Sequence, residues 1–328
     1  MYKGYITDIP GIEVGHFSSD KGMTGCTVVL CKRGATGGVD VRGSAPGTRE
    51  TDLLKAEKLV DKIHGVVLSG GSAFGLDAAG GVMKYLEEMG SGFDVGVTKV
   101  PIVCGAVIFD LNLGDYKIRP DFHMGYEAAK NSSSEERRQG NIGCGTGATV
   151  GKILGPENSM KSGLGSASMN VGNLWVGALV VVNSYGDVYD YNNNHILAGI
   201  FDRKNKKLMN SYELMKEKEK TTGFPMGNTT IGVVATNGKI TKAEGNKIAQ
   251  MAQNGLARSI NPINTTYDGD TVFVMGTGEV KGDINLMGTL ASETVSRAIT
   301  NGVLSAEGYE DIPSYKDING EGNIDFMK

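Results

Sequence analysis

Short apolar runs rich in β-branched residues alternate with longer amphipathic stretches along most of this 328-residue chain. Runs such as IGVVAT have the length and branching of a strand that is buried on both faces, and turn residues bound them. Strands are predicted at residues 12–16, 25–32, 64–69, 164–170, 175–184, 230–236 and 271–276. Helices are predicted at residues 73–89, 121–138, 204–219, 241–257 and 285–302. The interleaved pattern and the length favour an α/β protein, built as one large domain or two smaller ones.

The helix at 241–257 has the clearest start signal. Thr241 is followed three residues later by Glu244, which is the spacing of a capping box. Behind it, four apolar residues recur at helical spacing: Ile248, Ala249, Ala252 and Leu256.

Charge and apolar content exclude several classes of function. A formal net charge of -4 gives no electrostatic footprint for nucleic acid or for an anionic membrane surface. The longest apolar runs, such as residues 174–182, are too short to span a bilayer, and MYKGYITDIPG lacks the apolar core of a signal peptide. We therefore expect a soluble cytoplasmic protein with neither nucleic acid nor membrane as a partner.

The cysteines and histidines predict no metal site and no cofactor. The four cysteines lie in apolar or glycine-rich surroundings without a CxxC pair, which favours small buried hydrophobes: Cys26, Cys31, Cys104 and Cys144. The four histidines lack metal-ligand spacing: His16, His64, His123 and His195.

The 49 glycines are about twice the average share of roughly 7%, and many cluster in SGGSAFGLDAAGG and GCGTGATVGK. The second loop is not a phosphate-binding P-loop, because Lys152 is followed by Ile153, which cannot ligate magnesium. The first fails the GxSxG pattern because Phe74 stands at the last glycine position, so Ser72 is a poor nucleophile candidate. Both loops are predicted to be structural. The alternative is that their backbone N–H groups bind a phosphorylated ligand.

The stretch GNTTIGVVATN, residues 227–237, follows KEKEKTTGFPMGN, a charged stretch that is predicted to be an exposed loop prone to cleavage. One interpretation is a turn that leads into a strand. In another, the hydroxyl of Thr229 attacks the carbonyl before it, forming an ester that water opens, and Thr229 becomes N-terminal. Its α-amine, with an ordinary pKa of about 7.7–8.0, would then accept the hydroxyl proton during catalysis.

Long segments in the same order resemble the L-aminopeptidase D-esterase family, also called DmpA-type peptidases. They are ITDIPGIEVGH, GVDVRGSAPGTRETDLL, GVVLSGGSAFGLDAAGGV, GTGATVGK, VGALVVVNSYGDV and NTTIGVVATN. The resemblance implies a layered αββα sandwich similar to N-terminal-nucleophile hydrolases, with no cofactor. It also implies self-cleavage and assembly into homo-oligomers, for which we expect a tetramer of processed protomers.

The resemblance implies a single domain, residues 1–328, that is cleaved between Asn228 and Thr229. The products are residues 1–228 and residues 229–328, with Thr229 as the nucleophile. Asn-Thr at this point matches the nylon-oligomer hydrolase branch, whereas the aminopeptidase members have Gly-Ser. Asn183 matches the asparagine of the family's oxyanion hole, whose amide donates to a developing negative charge.

Three more residues carry roles that the resemblance implies. Asp268 and Asp270 match an acidic pair near the nucleophile, although Asp-Gly-Asp by itself favours a solvated turn. Lys152 matches a lysine close to the nucleophile, where a cation lowers nearby pKa values or stabilises negative charge. Phe109 stands where the nylon-oligomer hydrolase has tyrosine, so it would line the substrate pocket without a hydroxyl contact.

The sequence thus predicts a self-processing amidase or aminopeptidase that acts on small amides or short peptides through an acyl-enzyme on Thr229. Amino-acid amides, peptides with a free amino terminus, β-peptides and D-amino-acid esters remain open as substrates. Two alternatives belong to other classes: a phosphorylated-ligand-binding protein that uses the glycine-rich loops, and an unprocessed, non-catalytic oligomeric binding or scaffold protein.

Overall fold

The computed structural model describes residues 1–217 and 227–320. The strands are β1 (Glu13–Ser19), β2 (Thr24–Val41), β3 (Thr48–Arg49), β4 (Lys62–Ser69), β5 (Phe93–Asp94), β6 (Lys99–Val100), β7 (Val103–Val107), β8 (Thr149–Val150), β9 (Met160–Lys161), β10 (Leu164–Val171), β11 (Leu174–Val181), β12 (Asp187–Tyr189), β13 (Ile196–Ala198), β14 (Phe201–Asp202), β15 (Lys207–Leu208), β16 (Ile231–Gly238), β17 (Ile260–Asn261) and β18 (Thr271–Val280). The α-helices are α1 (Ala78–Glu88), α2 (Phe122–Lys130), α3 (Ser211–Glu217), α4 (Lys242–Ser259), α5 (Ile284–Ser305) and α6 (Tyr315–Asn319).

Nine strands form one sheet in the order β10-β11-β16-β18-β2-β4-β7-β3, with β1 paired to β2. The 18-residue strand β2 joins the two halves of this sheet, because its first part pairs with β4 and its last part pairs with β18. Its pairing register with β4 shifts between Leu30 and Ala35. Such an irregularity bends and twists a strand, which lets the two halves face each other.

Apolar side chains from both halves fill the space between them. One cluster unites Val66 of β4 and Cys104 of β7 with Leu179 of β11, Val233 of β16 and Phe273 of β18, although these strands lie far apart in the sheet order. The sheet therefore folds back on itself into two stacked layers.

Helices cover the outer face of each layer. Helices α1 and α2 pack on one layer through a cluster that contains Val67, the neighbour of inward-facing Val66. Helices α4 and α5 pack on the other through a cluster that contains Val234, the neighbour of inward-facing Val233. Successive strand residues point to opposite faces, so burial of both faces explains the uninterrupted apolar runs. The predicted αββα sandwich is confirmed.

All the strands predicted from sequence are present, and the capping box that starts α4 is confirmed, with the Thr241 hydroxyl accepting from the Glu244 N–H. Helix α5 matches its prediction closely. Helix α1 starts at residue 78, after a 3₁₀ turn at Ser72–Asp77. The sequence pattern missed β7, the three-residue strands β12 and β13, and all the two-residue strands.

Two helix predictions were wrong in extent. The helix predicted at 121–138 ends at Lys130, because the chain then turns to pair Ser133 with Val14 of β1. The helix predicted at 204–219 is helical only over Ser211–Glu217 within the described residues. The segment before it forms the hairpin β14–β15, whose turn is held by two backbone N–H groups that donate to Asp202. Residues 218 and 219 lie outside the described residues.

All four cysteines are buried free thiols, as predicted. Across residues 1–217 and 227–320, none of the helices combines the length and the apolar content needed to cross a membrane.

The last part of β2 lies against α4 at a pair of glycines. A Cβ atom on Gly38 would lie 2.6 Å from the Gly245 carbonyl oxygen and 2.7 Å from the Asn246 nitrogen. Both are backbone atoms, so only displacement of the helix would make room.

We predict that Gly38→Ala lowers the melting temperature by about 2–4 °C or more, since overpacking costs roughly 1–3 kcal/mol. Gly80→Ala in α1 is the control, because its Cβ would meet the ring edge of Phe122 at 3.2 Å and alanine favours a helix. Calorimetry should show a lower melting temperature for Gly38→Ala only, and equal melting temperatures for the two variants would contradict the close packing.

Candidate active site

The topology of the sheet brings the predicted catalytic residues to one edge. Strands β16 and β18 are parallel neighbours, so Thr229 and the Asp268–Asp270 segment precede them at the same edge. Strand β11 is antiparallel to β16, so Asn183 reaches that edge just after β11 ends. Residues Thr229, Asn183, Asp268, Asp270 and Lys152 are all buried.

The Asn228–Thr229 bond is not exposed, and the prediction of an exposed bond was wrong. Asn228 is 2% exposed and Thr229 6% exposed. The cause is a parallel β-bridge between Asn228 and Asp268, which begins the pairing that β16 and β18 continue. Residues 218–226 of the predicted loop lie outside the described residues.

The Thr229 hydroxyl lies beside the carbonyl group that precedes it in the chain. Thr229 Oγ1 donates to the Asn228 carbonyl oxygen at 2.5 Å. The Gly269 N–H donates to the same oxygen at 3.0 Å, and the Thr229 N–H donates to the Asn183 carbonyl oxygen at 2.9 Å. The peptide bond is thus held at its oxygen by a backbone donor and at its nitrogen by a backbone acceptor.

Gly269 is a site residue that sequence reasoning missed. A Cβ atom at this position would lie 2.9 Å from Thr229 Oγ1 and 2.8 Å from the Ala45 carbonyl oxygen, so only glycine leaves room for the hydroxyl. The one signal in the sequence was the glycine of Asp-Gly-Asp, whose carboxylates attracted the prediction instead.

Lys152 donates to three oxygen atoms of the site. Its Nζ lies 2.6 Å from Asn183 Oδ1, 3.2 Å from the Asn183 carbonyl oxygen and 2.9 Å from the Gly227 carbonyl oxygen. Burial lowers the pKa of Lys152 to about 7, against the opposing effect of the nearby Asp268 charge. The lysine therefore changes its charge near neutral pH.

The Asn183 side chain contacts the carbonyl group of Gly227, the residue before Asn228. Its Nδ2 donates to the Gly227 carbonyl oxygen at 3.1 Å and to the Phe109 carbonyl oxygen at 3.3 Å. Its Oδ1 accepts from the Thr149 N–H at 3.1 Å as well as from Lys152. These contacts fix the amide orientation.

The two aspartates are held differently. Asp270 accepts the N–H groups of Thr230 at 2.6 Å and Asn264 at 2.9 Å, one on each carboxyl oxygen. Asp268 accepts the Thr265 N–H at 2.7 Å on Oδ2, while its buried Oδ1 has no hydrogen-bond partner among the described residues. Asp268, whose backbone bridges to Asn228, thus keeps one acceptor atom available.

Burial is the main cause that raises the pKa of both carboxyl groups. The charge of Asp268 adds to this effect at Asp270 and brings the pKa of Asp270 to about 8. Burial raises the pKa of Asp268, and the Lys152 cation opposes that rise. Asp270 therefore stays protonated over most of the neutral range, and Asp268 is the better candidate for a charged carboxylate.

Phe109 lies next to Gly227, as the predicted pocket residue. A Cβ atom on Gly227 would lie 2.6 Å from Phe109 Cγ and 2.8 Å from Phe109 Cβ. The ring of Phe109 thus packs directly against the backbone that leads to the Asn228–Thr229 bond.

The glycine-rich loops surround a buried carboxyl group rather than an anion site. Asp110 accepts the Gly71 N–H at 2.7 Å and the Thr24 hydroxyl at 2.6 Å, and burial raises its pKa to about 6. A Cβ atom on Gly70 would lie 2.9 Å from Asp110 Cγ, and one on Gly147 would lie 2.5 Å from Asp110 Cβ. These contacts support the structural interpretation of both loops.

The histidines lie away from this site. His16 Nδ1 lies 2.9 Å from Thr27 Oγ1, and His64 Nδ1 accepts the Ile102 N–H. His123 and His195 are exposed. In the part of the chain that the structure describes, no group of three or more His, Cys, Asp or Glu side chains is arranged to hold a metal ion.

Known proteins resemble the chain along nearly its whole length. Residues 4–314 match Peptidase family S58. An uncharacterized aminopeptidase of Mycobacterium leprae is 40% identical, over 94% of this chain and 92% of its own. A 6-aminohexanoate-oligomer endohydrolase of Kocuria sp. is 29% identical, over 91% of this chain and 84% of its own.

A solved structure shares the fold. The L-aminopeptidase D-Ala-esterase/amidase from Ochrobactrum anthropi, described as a variant of the Ntn hydrolase fold, matches with a TM-score of 0.67 and 18% identity. The match covers 92% of this chain and 86% of that chain.

Proposed function

This chain belongs to peptidase family S58 and is a hydrolase, and we propose that it cleaves itself and then hydrolyses amide bonds with Thr229 as an N-terminal nucleophile. A relative named as an aminopeptidase and the shared Ntn hydrolase fold support this proposal. One observation carries the proposal: the Thr229 hydroxyl lies 2.5 Å from the Asn228 carbonyl oxygen, which the Gly269 N–H also contacts.

Self-cleavage begins when Thr229 Oγ1 attacks the carbonyl carbon of Asn228. Oδ1 of Asp268, which has no hydrogen-bond partner within residues 1–217 and 227–320, accepts the hydroxyl proton, and the Gly269 N–H stabilises the negative charge on the carbonyl oxygen. The C–N bond breaks as the Thr229 nitrogen takes up that proton, which leaves an ester between Asn228 and the Thr229 side chain. Water hydrolyses this ester to an Asn228 carboxyl group and a free Thr229 hydroxyl.

The new α-amine of Thr229 is the proposed general base for substrates. It accepts the Oγ1 proton as the hydroxyl attacks a substrate carbonyl, and it returns the proton to the departing amine. Water then hydrolyses the acyl-enzyme. The Asn183 carbonyl oxygen, 2.9 Å from the Thr229 nitrogen, orients the amine. Lys152 donates to that same oxygen, so its cation disfavours the protonated amine.

Small amino-acid amides and short peptides are the proposed substrates, in line with the aminopeptidase and endohydrolase names of the relatives. The oxyanion-hole role of Asn183 stays a prediction, since its amide contacts Gly227 in the intact chain. A non-catalytic, unprocessed protein is the alternative that the first experiment below distinguishes.

A tetramer of processed protomers in the cytoplasm is also part of the proposal. Exposed apolar side chains on the hairpin β5–β6 support assembly: Phe93 is 39%, Val95 48% and Val97 93% exposed.

We predict that the purified protein separates under denaturing conditions into fragments of residues 1–228 and 229–328, and that Thr229→Ala leaves the chain whole because it lacks the attacking hydroxyl. Thr230→Ala is the matched control: it removes the next hydroxyl, which has no hydrogen-bond partner among the described residues, and should still process. Intact-mass spectrometry measures the outcome. A wild-type chain that stays whole while hydrolysing amides would exclude self-processing.

Gly269→Ala should slow self-cleavage by at least about tenfold. The Cβ atom of alanine would displace either the Thr229 hydroxyl or the donating N–H of residue 269. One donor to an oxyanion contributes a factor of about 10²–10³ in rate. Gly278→Ala is the control, because Gly278 lies in β18 and its Cβ would have no atom within 4 Å. The rate is followed by mass after refolding. Equal rates for both variants would refute the assigned role of Gly269.

The pH dependence of kcat/KM should report the Thr229 amine, rising with pH as the amine loses its proton. Lys152→Met removes a cation that lowers the amine's pKa, so the acidic limb should move to higher pH. Asp270→Asn removes a carboxylate that raises the amine's pKa, so the acidic limb should move to lower pH. This shift should be smaller than that of Lys152→Met, because Asp270 ionises only near pH 8.

Hydrolysis of amino-acid p-nitroanilides by the processed fraction of each variant provides the profiles. Exposed Lys207→Met is the control and should give the wild-type limb. If the limbs of all four proteins coincide, the base is not a Thr229 amine close to these charges.

A further inference from the structure

The intact chain is the first substrate of its own site, and it therefore displays how the acyl side of a substrate is held. If Thr229 attacks Asn228, then Asn228 supplies the acyl group and Gly227 is the residue that precedes it. From the contacts of Gly227 we propose that the processed enzyme recognises an acyl side at least two residues long, with glycine before the residue whose carbonyl is attacked. This inference rests on the proposed function.

The Gly227 carbonyl oxygen has two buried donors. Lys152 Nζ donates to it at 2.9 Å and Asn183 Nδ2 at 3.1 Å. Lys152 is 7% exposed and Asn183 fully buried. If Gly227 moves away after cleavage, Lys152 keeps its two acceptors on Asn183, and Asn183 Nδ2 keeps the Phe109 carbonyl oxygen. Each group nevertheless has one N–H without an acceptor, and an unsatisfied buried N–H is unfavourable. A substrate carbonyl at the same place restores both hydrogen bonds.

The charge of Lys152 also determines which substrate groups fit next to it. In its protonated form Lys152 donates to a carbonyl oxygen and repels a second cation. A free amino-acid amide would place its own ammonium where the Asn228 nitrogen lies, directly next to the carbonyl group that Lys152 contacts. An acylated substrate avoids that repulsion and supplies the acceptor, so the site favours cleavage within a chain over removal of a single terminal residue.

The preceding residue must be glycine for two reasons. Gly227 has a φ angle of +87°, in the left-handed region that L-residues with side chains rarely adopt. In addition, a Cβ atom there would lie 2.6 Å from Phe109 Cγ and 2.8 Å from Phe109 Cβ. Phe109 is thus a specificity-determining residue that forms the wall against which an unsubstituted methylene carbon fits.

The first test uses the chain's own cleavage. Gly227→Ala should slow cleavage at the 228–229 bond by at least about tenfold, the effect of one misplaced carbon in a tight pocket. Phe109→Ala in the same chain should restore part of the rate, because it removes the ring but neither the Cβ atom of residue 109 nor the unfavourable φ angle. Gly278→Ala, at φ +81° in open space, should cleave like the wild type. Unchanged cleavage of Gly227→Ala, or no rescue by Phe109→Ala, would overturn the assigned wall.

The second test uses the processed wild-type enzyme and three p-nitroanilides: acetyl-Gly-Asn, acetyl-Ala-Asn and free Asn. We expect kcat/KM for the acetyl-Gly compound to exceed each of the other two by about tenfold or more. Equal rates for the glycyl and alanyl compounds would overturn the glycine preference. Hydrolysis of the free Asn compound alone would overturn the extended acyl side and leave the proposed function standing, whereas a wild-type chain that never cleaves itself would overturn the proposed function.

Discussion

The parallel pairing of β16 with β18 is the constraint on which the site depends. Parallel strands begin at the same edge of a sheet, so the residues before each strand meet without any long side chain reaching across. This pairing begins one bridge earlier, at Asn228 and Asp268, and that single bridge brings the Gly269 N–H onto the Asn228 carbonyl oxygen. A shift in register would separate the hydroxyl, the peptide bond and the donor together.

Burial gives this arrangement its chemistry. In water Lys152 would stay charged and Asp270 would stay ionised at neutral pH, but their burial moves both pKa values to between about 7 and 8. The site therefore holds a basic and an acidic side chain, each with a pKa close to neutral pH, next to a carbonyl group. Such groups are costly to bury unless they are paired or do chemistry, and the family relationship supports the second explanation here.

The sequence predicted the layers of the fold better than the details of the site. Apolar periodicity located the main strands and helices, because burial of both strand faces leaves a strong pattern, as in IGVVAT. Periodicity could not show that β2 runs on through Gly34, Gly37 and Gly38, because glycine in a strand interior weakens the strand. Only the packing explains the last two: a Cβ atom on Gly37 would meet Leu54 and Ile63, and one on Gly38 would meet the backbone of α4. The predicted site residues came from family resemblance, and the structure brings them together. The contact of the Gly269 N–H was not readable, since a backbone N–H is the same for almost every residue type, and the glycine of Asp-Gly-Asp signals only the room that the Thr229 hydroxyl needs.

The position of the site along the chain also has a consequence for biosynthesis. In the proposed self-cleavage, scission of the Asn228–Thr229 bond uses a donor from Gly269 and a carboxyl group from Asp268, and both residues are translated later than the bond itself. A nascent chain that ends before residue 268 lacks both groups, and the strand β18 that follows them pairs with β2 as well as with β16. Scission of this bond would therefore act as a checkpoint: a ribosome-bound or misassembled chain keeps its backbone whole, and only a chain with both sheet layers assembled acquires a free Thr229 amine.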